Sequence, residues 1–456
     1  MMKLCFHGAA RTVTGSKYLL TFDNKKILID CGLFQGTQEI RSINWSPLGF
    51  NPKELDAVIL THAHIDHSGY IPRLIKQGFS GKIYCTPATE DLCAILLPDS
   101  GYLQEEDAHR ANKYGYSRHK PALPLYTQAD GTAALQAFEP VPYHQPFALT
   151  DNLHFSLLQA GHILGASMVQ IRYGNHTILF SGDLGRPHHL VMEPPEYITQ
   201  TDYLILESTY GDRLHDTQDP FKALENIIHH TLQRQGSIII PSFAVGRAQD
   251  LLFLLYQLKI AKKIPDIPIF LDSPMAENVS DLLIKYANEH RLSPQQCQDI
   301  CHMATYIKTP DESKALDRYT TPVIIISASG MLEGGRILHH LKCFLPDKRH
   351  TILLTGFQAP GTRGDKLLQG ASTITIHGEK VPVQAQVIAM HNLSAHADYQ
   401  EILDWLAHFQ QKPKKVFITH GTLKSSEALQ EKIQAQFGWN CTVPHFQHSE
   451  ILFQSS

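Results

Sequence analysis

One string in this sequence combines residue types and spacing that can do chemistry: Thr61-His62-Ala63-His64-Ile65-Asp66-His67. It places three imidazoles and one carboxylate within six residues, directly after the apolar run Asp56 to Leu60. A regular helix would fan such side chains apart, whereas a tight loop at a strand end can turn them toward one point. Imidazole nitrogen and carboxylate oxygen together suit Zn²⁺ at about 2.0–2.2 Å, and four donors in one loop can begin two neighbouring sites. The competing reading, a cluster of surface histidines, is the weaker one. Three later residues occupy matching positions, each at the end of an expected strand or on the turn after it: His162 in Gly161-His162-Ile163-Leu164-Gly165, Asp183 in Ser181-Gly182-Asp183, and His420 in Thr419-His420-Gly421. Each alone reads more readily as a structural residue or a common turn. With the first string they complete a donor count for two ions.

These donors need strand ends to hold them. The opening reads as strands at Lys3 to Phe6, Tyr18 to Phe22 and Lys26 to Ile29, with a tight turn, Gly8 to Gly15, after the first and Asp30 at the end of the last. Ile71 to Gln77 is expected to be helical. Asp91 to Phe138 is expected to be mostly helical, broken by a basic loop from Arg110 to Lys120. Strands resume at His154 to Leu158, Met168 to Arg172, Thr177 to Phe180 and Tyr203 to Leu206. The pattern then alternates helix and strand through Thr351 to Thr355, which predicts a doubly wound parallel sheet. The first style returns from Val387 onward, with a helix over Tyr399 to Phe409. The expected organisation is therefore a domain of residues 1–209, an inserted domain of 210–385, and a return to the first over 386–456.

At this point the sequence resembles the metallo-β-lactamase superfamily, through Asp30, the His62–His67 string, His162 and Asp183. Within it the chain is similar to the β-CASP group of RNA-processing nucleases, through Leu206-Glu207-Ser208-Thr209-Tyr210-Gly211, Leu393-Ser394-Ala395-His396-Ala397-Asp398 and Thr419-His420-Gly421. That resemblance covers nearly the whole chain. It implies an α/β fold, the metallo-β-lactamase αββα sandwich with an inserted doubly wound parallel-sheet β-CASP domain. It also implies that His62, His64 and His162 hold one Zn²⁺, that Asp66, His67 and His420 hold a second, and that Asp183 bridges them. Mn²⁺ is the alternative metal. Asp30 would orient a ligand histidine through its free ring N–H. Two cations so placed lower the pKa of a shared water and stabilise charge on a phosphoryl oxygen. The leaving oxygen needs a proton, for which His396 is the acid and Glu207 its partner; with Asp66 they make up the expected catalytic group.

His420 bears on the substrate. RNA-processing members of the group carry histidine at the corresponding position, whereas the DNA-repair branch tends to carry an apolar residue, so RNA is expected. Thr422 departs from relatives that often have an acidic residue there. Arg247, Ser329, Thr362 and Arg363, on loops after strands of the inserted sheet, are expected to contact substrate phosphates, and Phe243 and Phe357 to stack on bases. The expected activity is endonucleolytic hydrolysis of single-stranded RNA. A 5′-exonuclease on the same site, a small-molecule thioester or lactone hydrolase and a non-catalytic scaffold are the alternatives. The formal charge of −4 argues against a wrapped, non-specific nucleic-acid binder, so a polyanion must meet a local basic site. The eight cysteines lack paired CxxC spacing, and no apolar run reaches the roughly 18–20 residues that span a bilayer. A cytoplasmic enzyme without membrane contact is expected, with homodimer formation by analogy.

Overall fold

The computed structural model describes residues 1–454 apart from Tyr116, Arg118 and Ala244, with only the backbone of Pro274, Ala276 and Glu277. The chain divides into two compact units, Met1–Leu214 with His396–Ser456, and His215–Ala395.

The first unit is built on two seven-stranded sheets. One runs Ser449–Phe453, Met2–Phe6, Tyr18–Phe22, Lys25–Ile29, Ala57–Ile59, Lys82–Cys85, Phe138–Pro140 from edge to edge; the other runs Cys441–Thr442, Lys415–Thr419, Tyr203–Glu207, His176–Phe180, Ser167–Tyr173, Leu153–Gln159, Phe147–Ala148. Alternate residues of both sheets, among them Phe6, Leu20, Ile29, Leu157, Val169, Ile178, Ile205 and Phe417, form one continuous apolar core. The sheets therefore face each other, with helices such as Pro87–Tyr114 and Leu423–Phe437 as connections, the αββα sandwich expected. The three strands His176–Phe180, Tyr203–Glu207 and Lys415–Thr419 are mutually parallel, in register at Phe180 with Ile205 and Glu207 with Thr419. Their C-terminal ends thus lie side by side, which is what places Asp183, Glu207 and His420 together.

In the second unit six strands form a wholly parallel sheet in the order Thr305–Tyr306, Ile269–Asp272, Ile324–Ser327, Ile238–Pro241, Thr351–Leu354, Gln386–Ala389. The strands Ile238–Pro241, Ile269–Asp272, Ile324–Ser327 and Thr351–Leu354 are buried along their whole length, as a parallel sheet covered on both faces requires. Gln386–Ala389, read from sequence with the returning first domain, is instead the edge strand beside Thr351–Leu354. An apolar run cannot tell which sheet it will join.

Two local expectations change. The helix Pro87–Tyr114 continues through Arg110 and Lys113, because no glycine or proline falls between Arg110 and Gly115, whose left-handed backbone (φ 68°) ends it. The expected basic loop is thus confined to the residues after Gly115, of which Tyr116 and Arg118 lie outside the described residues. No helix among the described residues is long and apolar enough to cross a membrane.

Candidate metal centre

His62 and His64 lie on the loop after the strand Ala57–Ile59, but Asp66 and His67 belong to a single helical turn, Ile65–Ser68, with His64 as its N-cap residue. The expectation of a pure loop is corrected there: one turn is too short to fan the side chains apart. Two glycines aim the later donors. Gly161 (φ 70°) precedes His162 and Gly182 (φ 54°) precedes Asp183, and a Cβ on Gly161 would lie 2.5 Å from Glu193 O. Asp30 (φ 59°) and His420 (φ 51°) adopt left-handed backbone without being glycine, at about 1–2 kcal/mol each. Such strain concentrates where side-chain direction matters for function.

Seven side chains converge. His62 Nε2 and His162 Nε2 each lie 3.2 Å from His64 Nδ1, and His67 Nε2 lies 3.0 Å from His420 Nε2. Asp66 Oδ2 is 3.4 Å from His420 Nε2. The Asp183 carboxylate reaches both groups, Oδ2 standing 3.3 and 3.5 Å from Nε2 of His62 and His162, and Oδ1 3.2 Å from His67 Nε2 and 3.4 Å from His420 Nδ1. His62, His64, His162 and Asp183 form one cluster of potential ligands and Asp66, His67 and His420 another, the donor atoms of each within 4.8 Å of one another.

The donor set fits divalent cations. Ligands at zinc distance in a tetrahedron sit about 3.3 Å apart, which is the spacing of these nitrogens. Buried Asp183 Oδ1 has no hydrogen-bond partner although imidazoles surround it. Burial, with neighbouring imidazoles, lowers His62 to about 3, and burial lowers His64 to about 4, so both present lone pairs rather than protons. Burial and His396 likewise push His162 well below its ordinary value. His67 behaves oppositely: burial lowers it, but the Asp183 and Asp30 carboxylates prevail and raise it well above the imidazole range. The carboxylates of Asp30, Asp66, Asp183 and Glu207 thus draw positive charge to this spot.

Hydrogen bonds around the clusters set which nitrogen of each ring faces inward. Asp30 Oδ2 takes His67 Nδ1 at 2.7 Å, leaving Nε2 for the centre, while both Asp30 oxygens are held by Thr61, from its backbone N at 2.7 Å and its hydroxyl at 2.9 Å. With the Thr61 hydroxyl proton on Asp30, its oxygen accepts from His62 Nδ1 at 3.1 Å. The Thr209 hydroxyl donates to His420 O and accepts from His420 Nδ1, both at 3.1 Å. Thr61 and Thr209 were overlooked as positioning residues from sequence, although both stand inside the family-like strings. Such partners orient ligands and raise their basicity.

Beside the clusters, Glu207 Oε1 accepts from Leu184 N at 2.7 Å and from His396 Nδ1 at 3.0 Å, and Glu207 Oε2 accepts from Thr209 N at 3.2 Å. Burial lowers His396, but Glu207 and then Asp183 outweigh it and raise the imidazole to about 9. His396 does not cap the helix Tyr399–Leu406; Asp398 does, in a capping box with Glu401. Thr422 caps Leu423–Phe437 by accepting from Ser425 N at 3.2 Å.

Three family models cover most of the chain: metallo-beta-lactamase superfamily over residues 11–228, Beta-Casp domain over 248–367, and Zn-dependent metallo-hydrolase RNA specificity domain over 380–444. The chain is 36% identical to Ribonuclease TTHA0252 of Thermus thermophilus over 453 residues, 98% of this chain and 99% of that one. This chain belongs to the β-CASP ribonucleases of the metallo-β-lactamase superfamily. As a β-CASP ribonuclease it is a metal-dependent hydrolytic nuclease acting on RNA. It is also 31% identical to an RNase J-like protein of Methanocaldococcus jannaschii over 92% of this chain and 93% of that one. Transcription termination factor FttA of the same organism is 30% identical over 92% of this chain and 67% of its own length. A crystal structure of a protein of unknown function from Enterococcus faecalis V583 shares the fold, with a TM-score of 0.53 at 15% identity over 98% of this chain and 99% of that one.

The inserted β-CASP unit treats its expected substrate contacts differently. Arg247 is buried, 8% exposed, with Nη1 3.4 Å from Asp250 Oδ2. Thr362 is fully buried and caps the helix Arg363–Leu368, its hydroxyl donating to Ala359 O at 2.7 Å and accepting from Asp365 N. Arg363 donates to Thr375 O at 2.8 Å and Leu332 O at 3.0 Å and lies 3.6 Å from Glu333. All three have internal partners, backbone carbonyls and neighbouring carboxylates, that compete for the donors a phosphate would need. Ser329 is half-buried and accepts from Glu333 N at 3.4 Å, with no acceptor for its own proton among the described residues. Phe243 packs against Gly330 within this unit, and Ala244 of the same stretch lies outside the described residues.

Proposed function

We propose that this ribonuclease cuts internal phosphodiester bonds of single-stranded RNA using two Zn²⁺ ions. His62, His64 and His162 would hold one, Asp66, His67 and His420 the other, and Asp183 would bridge. The observation that carries this reading is the Asp183 carboxylate, one oxygen against each imidazole group. Five imidazoles among seven donors favour zinc over harder ions, with Mn²⁺ as the alternative. When bound, two cations would supply Lewis acidity for activating a water and stabilising charge on a phosphoryl oxygen.

The chain's own residues do the rest. Glu207 keeps a proton on His396 Nδ1 and aims the ring, so that the opposite nitrogen delivers its proton to the departing oxygen. Asp30, Thr61 and Thr209 hold ligand rings with the correct nitrogen inward. His420 supports RNA over DNA by the family resemblance. Ser329 would add a hydroxyl to a phosphate. The enzyme is read as cytoplasmic and as a homodimer.

The test uses internally labelled single-stranded RNA. Fragments from internal cuts are expected, abolished by chelator or His64→Ala and restored by Zn²⁺ or Mn²⁺ in the wild type. Mononucleotides released in order from the 5′ end would replace this reading with an exonuclease. Cleavage that survives complete chelation would end it.

A further inference from the structure

The turn Gly8 to Gly15 is fixed against the second donor cluster. Ala9 O accepts from His420 N at 2.7 Å; just beyond the turn, Ser16 N donates to Asp66 O at 2.9 Å and Ser16 Oγ lies 3.4 Å from His67 Nε2. The turn closes on itself through Ala9 N to Thr14 O at 3.3 Å, and Thr14 exchanges two 3.0 Å hydrogen bonds with the backbone of Gln35. Ala9, Ala10, Val13 and Thr14 are buried, but Arg11 at the tip is exposed. Two residues, at most about 7 Å of chain, separate it from the carbonyl bonded to His420. Arg11 has φ 61°, a backbone conformation glycine takes freely and arginine only at a cost. No hydrogen bond, ion pair or ring contact engages its side chain among the described residues. The turn gains nothing in stability from an arginine there.

We propose that Arg11 is a substrate-binding residue, its guanidinium gripping a phosphate of the RNA strand next to the bond that is cut. This rests on the ribonuclease reading above. The planar fork of arginine can take two oxygens of one phosphate, and a chain of formal charge −4 carries no overall excess of basic residues, so a phosphate must meet a local cation. The position complements the inserted unit, where Arg247 and Arg363 are engaged internally.

Arg11→Gly isolates the charge, because glycine relieves the backbone. With metal-loaded protein, the variant is expected to melt no lower than the wild type and to bind the same metal. KM for single-stranded RNA should rise on the order of tenfold, the scale of one hydrogen bond to a charged group, with kcat changed far less. The slope of log KM against log salt should become shallower by about 0.7, the share of one phosphate contact on a single strand. Arg11→Lys should recover the salt slope and part of the KM. A wild-type KM and salt slope in Arg11→Gly, or activity lost only in parallel with metal or melting temperature, would overturn the proposal. A wild-type protein that does not cut RNA fails the ribonuclease reading and this one with it; one that cuts RNA beside an indifferent Arg11→Gly fails this one alone.

Discussion

Each unit buries a cluster of histidine and aspartate, and the two clusters are built on opposite principles. In the inserted unit, His340 Nε2 faces Asp272 Oδ2 at 2.7 Å and His340 Nδ1 faces Asp317 Oδ1 at 2.6 Å, so both ring nitrogens donate and the ring is an imidazolium. Arg336 bonds the other Asp272 oxygen at 2.8 Å, and Ser313 donates to Asp272 Oδ2 at 2.6 Å. Two carboxylates meet two cations, and the network is complete. In the metallo-β-lactamase unit, nitrogen faces nitrogen across 3.0–3.2 Å and an aspartate oxygen has no hydrogen bond. Both clusters pair imidazole with carboxylate in buried surroundings; what differs is whether each polar atom meets its opposite. A cluster whose polar atoms are all paired is complete in itself, whereas one that leaves nitrogen facing nitrogen and a carboxylate oxygen unbonded suits cations.

Removing Asp183 breaks the comparison hardest. Asp183→Ala should abolish RNA cleavage and strip metal from both clusters, measured by elemental analysis beside a cleavage assay. Glu207→Gln or His396→Asn should leave metal content intact while lowering kcat by about 10²–10⁴, the usual contribution of a general acid. In the inserted unit, His340→Ala leaves Asp272 and Asp317 without their shared cation and should destabilise that unit by about 3–5 kcal/mol in denaturant unfolding, with no change in bound metal.

The pH dependence sharpens the same contrast. Burial lowers His340, but Asp272 and Asp317 prevail and raise it from 6.5 to about 9. Its contribution is complete below 6.5, where both folded and unfolded states are charged, and is lost as pH rises through about 9. Burial raises Asp272, but His340, Ser313 and Arg336 hold it below its ordinary 3.8, so its contribution is present above that value and is lost as pH falls through the lower folded one. The melting temperature of this unit should therefore fall between pH 6.5 and 9, and His340→Gln should flatten that decline. At the small end, Thr362→Ala should cost about 1 kcal/mol as a lost helix cap; an unchanged KM would mean that the cap is its whole role, and a raised KM would make Thr362 a substrate contact as well.

The clustering of the candidate metal donors was legible because strands deliver them. A run such as Ala57–Ile59 or Lys415–Thr419 is apolar enough to announce itself, and the donor comes at its end. The internal partners of the candidate substrate contacts were not legible, because arginine, serine and threonine after a strand have many internal acceptors within reach. Nothing in the order of residues reveals that Arg363 will find Thr375 O or that Thr362 will cap its own helix. Thr61 and Thr209 were missed for a related reason: their role is to fix which nitrogen of a neighbouring ring carries its proton, which only geometry discloses. The edge strand Gln386–Ala389 was assigned to the wrong sheet because its partner, Thr351–Leu354, is chosen by packing.

The proposed cleavage turns on two cations at the seven-donor centre. The most direct test is the divalent-metal content of the purified protein, read with RNA cleavage on the same sample during stepwise chelation. Two ions per chain, lost together with cleavage, is the predicted result. Protein that is free of divalent metal and still cuts RNA at the original rate would contradict it.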